Sequence, residues 1–380
     1  MLNLNTIGSF GSLGGGDRAT ASLPLFSGGT FTRSTEGSYL TGAPTDGSTA
    51  FLAWAAVDAR RIENRGDGLG SMLLLEGART NLLIQSRDIN TTGGWAAGSS
   101  DTPTLDAGPG PDGAALADRE QVSSAGYGRY KATTGGGTTV EVSTSVYLKR
   151  MPSAGSGTAQ VNPYDSAYRT VQFAIDETWS RASIVRIPSF ATISYIPWEG
   201  RVGAAGVNMA LDYLCDLHQI EQGAFPSSPI RTTTAAVTRS ADALSYADTA
   251  YPASFLTRGF RVQFAPDASS AEVVTAGGMN VVYFAGGATS RLEFSFSGAD
   301  CQLYSYDAGG AQLIATVTFS RGQLITIDWK ETEVIISGCT TGDGTYPKTT
   351  GAMSGGTMHI GTSLTSHPFF GRFGQAITAL

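Results

Sequence analysis

VNMALDYLCDL, residues 207–217, places Val207, Met209, Leu211, Tyr213, Cys215 and Leu217 at every second position, with Asn208, Asp212 and Asp216, and His218 just beyond, between them. A helix, with its period of 3.6, cannot sort side chains in this way, whereas a strand does so by its pleat. The stretch therefore predicts a long half-buried strand. The same period recurs in TVEVSTSVYLK, where Val140, Val142, Val146 and Leu148 share a face, and in TVQFAI, where Val171, Phe173 and Ile175 do. Beyond residue 245 it returns in RVQF, VVYF, RLEFSF, CQLYSY, QLIATVTF, QLITIDW and EVIISG, separated by turn clusters such as DAGG (307–310) and TGDG (341–344). The alternation predicts an all-β fold class, two tandem antiparallel β-sandwiches after an N-terminal adaptor segment.

The expected divisions are an adaptor at 1–75, a first sandwich at 76–245 and a second at 246–380. Apolar groups in 1–75 are too scattered for a core of their own, so removing that segment is expected to leave the rest folded. The second sandwich is expected to fold alone. A chain of 380 residues with 49 glycines and 15% charged residues suits such turn-rich domains. A net charge of -7 argues against a sequence-independent grip on nucleic acid, which needs a basic stripe. No stretch approaches the roughly 20 apolar residues that span a bilayer, so no membrane insertion is expected. Cys215, Cys301 and Cys339 offer no disulfide framework or metal spacing and read as buried thiols.

EGARTNLLIQSRD, residues 76–88, interrupts an apolar run with Glu76, Arg79 and Asn81. Such groups at the entry to a sandwich are expected to tie down backbone, because a buried junction must satisfy its polar groups. With TFTRSTEGSYL (30–40), Trp95, TWSRAS (178–183) and QIEQGAFPSSPIRTTTAAVTRSADAL (219–244), this stretch resembles the opening and closing motifs of fibre and head-spike proteins of tailed phages and gene transfer agents. Ser227-Ser228 and Arg231 depart from the family's usual Thr-Ser and Pro. The C-terminal GQLITIDWK, EVIISG and MHIGTSLTSHPFFGRFGQAI are similar to late strands of concanavalin-like or laminin-G-like sandwiches.

The resemblance implies a jelly roll at 76–245 followed by a concanavalin-like sandwich, and a surface spike or fibre adhesin of a virion or gene transfer agent. MLNLNTIGSFGSLGGG (1–16) lacks the cationic and apolar regions of a signal peptide, so synthesis in the bacterial cytoplasm is expected. Such an adhesin would bind host envelope or capsule polysaccharide and hold a capsid or spike-base protein through its N-terminal segment. A homo-oligomer is compatible with that role. Two further readings stay open: a capsular polysaccharide depolymerase using two carboxylates, and a decoration protein without a ligand.

No G-x-S-x-G, H-E-x-x-H or Walker lysine motif occurs, and no enzyme is expected. GPGPDG (108–113) matches G-x-G-x-x-G by letter, but Pro109 and Pro111 oppose the strand-to-helix turn that a pyrophosphate site needs. Candidate glycan contacts are Tyr195, Trp198, Glu199 and Arg201 in the YIPWEGR loop, which joins stacking surface to ionic groups. The row Asn208, Asp212, Asp216 and His218 could hydrogen-bond sugar hydroxyls, although a solvated sheet face has the same pattern. Tyr304 and Tyr306, opposite Leu303, form a third candidate. No cofactor is expected, but loop carboxylates such as Asp101, Asp106, Asp112 or Asp343 could hold a structural calcium ion.

Overall fold

The computed structural model describes residues 22–24, 29–43, 50–114, 116–134, 140–152, 158–164, 171–187, 192–196, 211–276, 278–285, 290–307, 310–349, 355–361, 369–374 and 376–380. These residues form antiparallel sheets and, besides them, only a 3-10 turn and two short helices, Ser254–Thr257 and Ser270–Thr275. Among them no helix is long and apolar enough to cross a membrane. Alternation of buried and exposed residues produces the two-layer packing, as in Asp300–Asp307, where Cys301, Leu303 and Ser305 point inward.

The first sandwich has a five-stranded sheet in the order Ser180–Arg186, Val142–Arg150, Leu211–Gln222, Ala117–Tyr127, Ser99–Gly108. A four-stranded sheet, Lys131–Thr134, Thr192–Ile196, Thr158–Tyr164, Val171–Ala174, accompanies it. Its core holds Leu83, Trp95, Val122, Val142, Val146, Leu148, Tyr213 and Cys215. The other face of the five-stranded sheet is not solvated. A hairpin of Gly37–Leu40 and Leu52–Ala55 covers it, packing Phe51 and Leu52 on Tyr147, Trp179, Leu214 and Leu217.

The second sandwich pairs a seven-stranded sheet, in the order Thr30–Thr32, Ala243–Tyr246, Thr357–Ile360, Met279–Ala285, Ser290–Ser297, Asp300–Asp307, Gly310–Thr316, with a nine-stranded one. The nine-stranded sheet runs from Gly344–Pro347 through Glu333–Ser337, Ile325–Trp329, Phe260–Pro266 and Gly371–Phe373 to Met72–Leu75 and Arg61–Glu63. Ala376–Ala379 joins it to Ser22–Pro24. Phe369, Phe370 and Phe373 are buried in the shared core, as their crowding in the sequence suggests.

The sheets do not respect the boundaries drawn at 75/76 and 245/246. Four strands from the first 75 residues pair with strands of the second sandwich or their neighbours, and Phe31, Leu73 and Leu75 lie in its core. The physical reason is register: Leu73–Leu75 pair with Gly371–Phe373, an attachment about 300 positions away along the chain that local periodicity cannot register.

A buried ionic junction fastens these parts. Arg61 Nη1 donates to Glu76 Oε2 at 2.5 Å, and Arg61 Nη2 donates to Asp242, whose other oxygen accepts from Arg33 Nη1 at 3.1 Å. Ser228 N and Oγ donate to Glu76 at 2.7 and 2.6 Å, and Arg239 Nη1 lies 3.1 Å from Glu76 Oε2. Burial would raise the Glu76 pKa, but Arg239, Arg61 and Ser228 outweigh it and hold the carboxyl well below its ordinary range. Asn81 works on the backbone: its Nδ2 donates to His218 O and Ile230 O, while its Oδ1 accepts from Leu83 N and Ile220 N. Glu76 and Asn81 thus do what their position in the sequence suggests.

Three outcomes are expected. Removal of residues 1–75 strips edge strands and core side chains from the second sandwich, so residues 76–380 should lose cooperative melting in calorimetry. Residues 246–380 alone should fail in the same way. Glu76→Ala leaves Arg61 and Arg239 buried without their shared counter-charge and should cost about 3–5 kcal/mol in denaturant unfolding.

Candidate functional site

The expected polar row on the strand Leu211–Gln222 is broken at a bulge. Opposite Val142–Arg150 the pairing jumps from Gln219↔Ser145 to Asp216↔Tyr147, so two residues face one, and Leu217 takes φ 54°. A one-residue slip exchanges the faces beyond it. Leu217 therefore joins Leu214 under the hairpin, while His218 turns into the opposite core, its ring 5.0 Å from Trp95. Burial lowers the His218 pKa to about 3, which keeps the ring neutral. The left-handed Leu217 is supported by Asp216 Oδ1, which accepts its N–H at 2.7 Å, and by His218 N donating to Ser86 O.

Asp216 is fully buried and accepts from Arg87 Nε and Nη2 at 3.0 and 2.6 Å. Burial pushes its pKa up to about 6, against the Arg87 charge. Arg87 also forks onto Asp112, to which Trp54 Nε1 donates at 2.9 Å. The GPGPDG loop thus clamps the N-terminal hairpin to the sheet. Asp212 is half-exposed and held by Arg119 Nε and Nη2 at 2.7 and 2.6 Å. Asp216 and His218 are therefore corrected from a ligand-facing row to interior groups. Trp198, Glu199, Arg201 and Asn208 lie outside the described residues, and Tyr195 is described only as backbone in the strand Thr192–Ile196.

Three of the four carboxylates considered for calcium are engaged in the protein, and Asp106 is exposed. Asp112 binds Arg87, Asp343 accepts from Gly338 N and Cys339 N in its hairpin, and Asp101 lies 3.3 Å from Arg129 Nε. Among the described residues no group of three His, Cys, Asp or Glu side chains could hold a metal ion. Glu120, fully buried beside Asp101, has its pKa pushed up to about 9 by burial and by that like charge.

A cleft of about 250 Å³ lies near the junction, lined in part by Tyr39, Glu63, Arg65, Arg181 and Asp267. Its charges are spent on the seam: Arg65 binds Glu63 at 2.6 Å and Asp267 at 2.5 Å, and Arg181 donates to Ser227 O at 2.6 Å.

Tyr304 and Tyr306 fare differently. Both stand on the outer face of the seven-stranded sheet, half-exposed, with ring centroids 6.0 Å apart and planes inclined by 37°. The register extends them into a row. Tyr306 is opposite Arg291, Arg291 opposite Tyr283, and Tyr283 opposite His359. The Arg291 guanidinium lies 3.6 Å from the Tyr306 ring centroid and its Nε donates to Glu293 Oε2 at 2.5 Å, while Tyr283 and His359 are 5.8 Å apart. Tyr304 O–H donates to Gln302 Oε1 at 2.9 Å, and Leu313, opposite Tyr304, is 46% exposed. Four neighbouring strands at about 4.8 Å spacing make the row roughly 14 Å long. Such a face offers apolar ring surfaces with fixed donors and acceptors between them, which suits an extended, hydroxyl-rich ligand.

Tyr283, Arg291, Glu293 and His359 escaped the sequence analysis as site residues. Alternation in VVYF and RLEFSF already set Tyr283 and Arg291 apart from the core positions, but only the strand order makes them neighbours.

No protein-family model and no curated protein matches the chain. Among solved structures, the N-terminal tandem CBM22-1–CBM22-2 domain of Paenibacillus barcinonensis Xyn10C is similar at 15% identity, covering 81% of this chain and 100% of that one, with a TM-score of 0.28. A superposition this loose gives no residue of the present chain a role.

Glu120 supplies a pH test. Its folded pKa lies above that of the unfolded carboxyl, so the folded state keeps a proton that the unfolded state releases. Its contribution to stability is complete below the unfolded value of 4.5 and is lost as pH rises toward 9. Glu120→Gln mimics the protonated acid, and its amide can still accept from Arg129 N. It should raise unfolding stability on the order of 2–4 kcal/mol near pH 8 and change little near pH 4, measured by denaturant titration.

Proposed function

We propose that the chain is a non-enzymatic polysaccharide-binding protein displayed on the surface of a phage-like particle, virion or gene transfer agent. The row of His359, Tyr283, Arg291 and Tyr306, with Tyr304 beside it, would be its glycan-binding face. The observation that carries this reading is the alignment of these side chains across four adjacent strands on an outer sheet face. Polar atoms held at fixed spacing beside flat ring surfaces recognise sugars by hydrogen bonding to hydroxyls and by contact with C–H faces.

The place on a particle rests on the motif patches resembling fibre and head-spike proteins. The host ligand would be envelope or capsule polysaccharide, and attachment to a capsid or spike-base protein would fall to the N-terminal segment. Each sugar contact is weak, so many copies on one particle would raise avidity if their spacing allowed several to bind together.

The reading is tested by incubating the full chain with host envelope and capsule polysaccharides, following both retention and release of reducing ends. Retained intact chains are expected. Tyr306→Ala should weaken retention about fivefold, or about 1 kcal/mol, because it removes the ring that Arg291 and a sugar would share, and should leave the melting temperature nearly unchanged. Shortened chains would establish a depolymerase instead, and absence of retention from every host fraction would favour a decoration protein.

A further inference from the structure

Two adjoining grooves, of about 440 and 430 Å³, share Ala78, Arg79, Val140 and Gly223. Ile187 and Val140 of the first sandwich form one side of the second groove, and Thr275 and Phe370 of the other sandwich line it as well. Val140 and Ile187 are 41% and 53% exposed, an apolar surface left open at the seam.

Arg79 is the cation of this groove, and its bonding is incomplete. Its guanidinium lies 5.1 Å from the Phe225 ring centroid and 4.5 Å from that of Phe370, and Nη1 donates to Gln222 O at 2.8 Å. Among the described residues Nη2 makes no hydrogen bond, Nε has no partner, and no carboxylate forms an ion pair with Arg79. Arg33, Arg61 and Arg87, elsewhere in the same seam, each bind one or two carboxylates. The Arg79 guanidinium is half-exposed, and the nearest carboxylate charges, Glu221 and Glu76, act on it from beyond ion-pair distance, so a donor is left for a ligand. The backbone is shaped to admit the guanidinium: Gly223 takes φ 141°, and a Cβ there would stand 2.3 Å from Arg79 Nη1. Glu141 lines the second groove without pairing to Arg79, so an acidic ligand would be turned toward the guanidinium and away from that wall.

We propose that this groove is a second sugar site, selective for a ring that carries a carboxylate, a hexuronate. The carboxylate would meet Arg79 Nη2 and the ring would lie against Val140 and Ile187. The choice of a sugar rests on the polysaccharide-binding reading; the choice of an acid rests on Arg79 alone.

Free glucuronate, glucose and propionate, titrated into the full chain by calorimetry, separate the contributions of ring and charge. Glucuronate should bind about tenfold or more tighter than either control, and less tightly as salt is raised. Val140→Trp, which fills the groove from an exposed position, should reduce that binding about tenfold with the melting temperature preserved; Arg79→Gln should do the same, and Tyr306→Ala should not. Equal binding of glucose, equal binding of propionate, or unchanged affinity in Val140→Trp would each overturn the proposal. Glucuronate bound at Arg79 by a chain that retains no polysaccharide would support the groove while removing the sheet-face reading. Polysaccharide retained through Tyr306 with no response to glucuronate would remove the groove alone.

Discussion

The Arg61–Glu76–Asp242 junction sits where every part of this chain meets. Three arginines and two carboxylates with almost no solvent access would be prohibitive singly, since the desolvation of each charge exceeds what a weak partner returns. Together they pair with one another, and Ser228 and the backbone of Glu76 and Asp242 add further hydrogen bonds, while Nε of Arg61 and of Arg239 has no partner among the described residues. Hydrophobic packing could have joined the same segments with many near-equivalent alignments. A hydrogen-bonded network has far fewer, so the junction fixes how the N-terminal strands, the first sandwich and the second are aligned.

This changes the meaning of the motif patches. Arg33 comes from the TFTRS stretch, Glu76 and Asn81 from EGARTN, Arg181 from TWSRAS, and Ser227, Ser228, Arg239 and Asp242 from the closing stretch. Patches that are separated along some 210 residues meet in one buried region or along its rim. Their residue types are set by the chemistry of a seam, and none of these side chains is free to act on a ligand. The outer face of the seven-stranded sheet lies outside the motif patches and is rich in rings, whereas the groove takes Arg79 and Gly223 from two of them.

Those two surfaces differ in what holds them in place. On the sheet face, Arg291 is fixed between Glu293 and the Tyr306 ring, so a ligand would meet a preorganised platform and lose little entropy in ordering it. In the groove, Arg79 is held by ring stacking and one carbonyl, with donors to spare.

Period-two alternation determined the all-β class, because it reports a local property of the pleated backbone: successive side chains face opposite ways. It also placed Tyr304 and Tyr306 opposite Leu303, while the crowding of Phe369, Phe370 and Phe373 pointed to a core. The interruption by Glu76 and Asn81 was readable as a junction, since buried polar groups need partners wherever they are. What lay beyond local reading was every feature that depends on pairing between distant strands. Leu217 gives no residue-type signal for a left-handed bulge, yet that bulge sends His218 into the core and Leu217 under the hairpin. Residues 22–75 lack an independent core because their core is shared with residues far along the chain. Tyr283, Arg291, Tyr306 and His359 become one surface only through strand order, and strand order is settled by the total of long-range hydrogen bonding and burial, which no single segment contains.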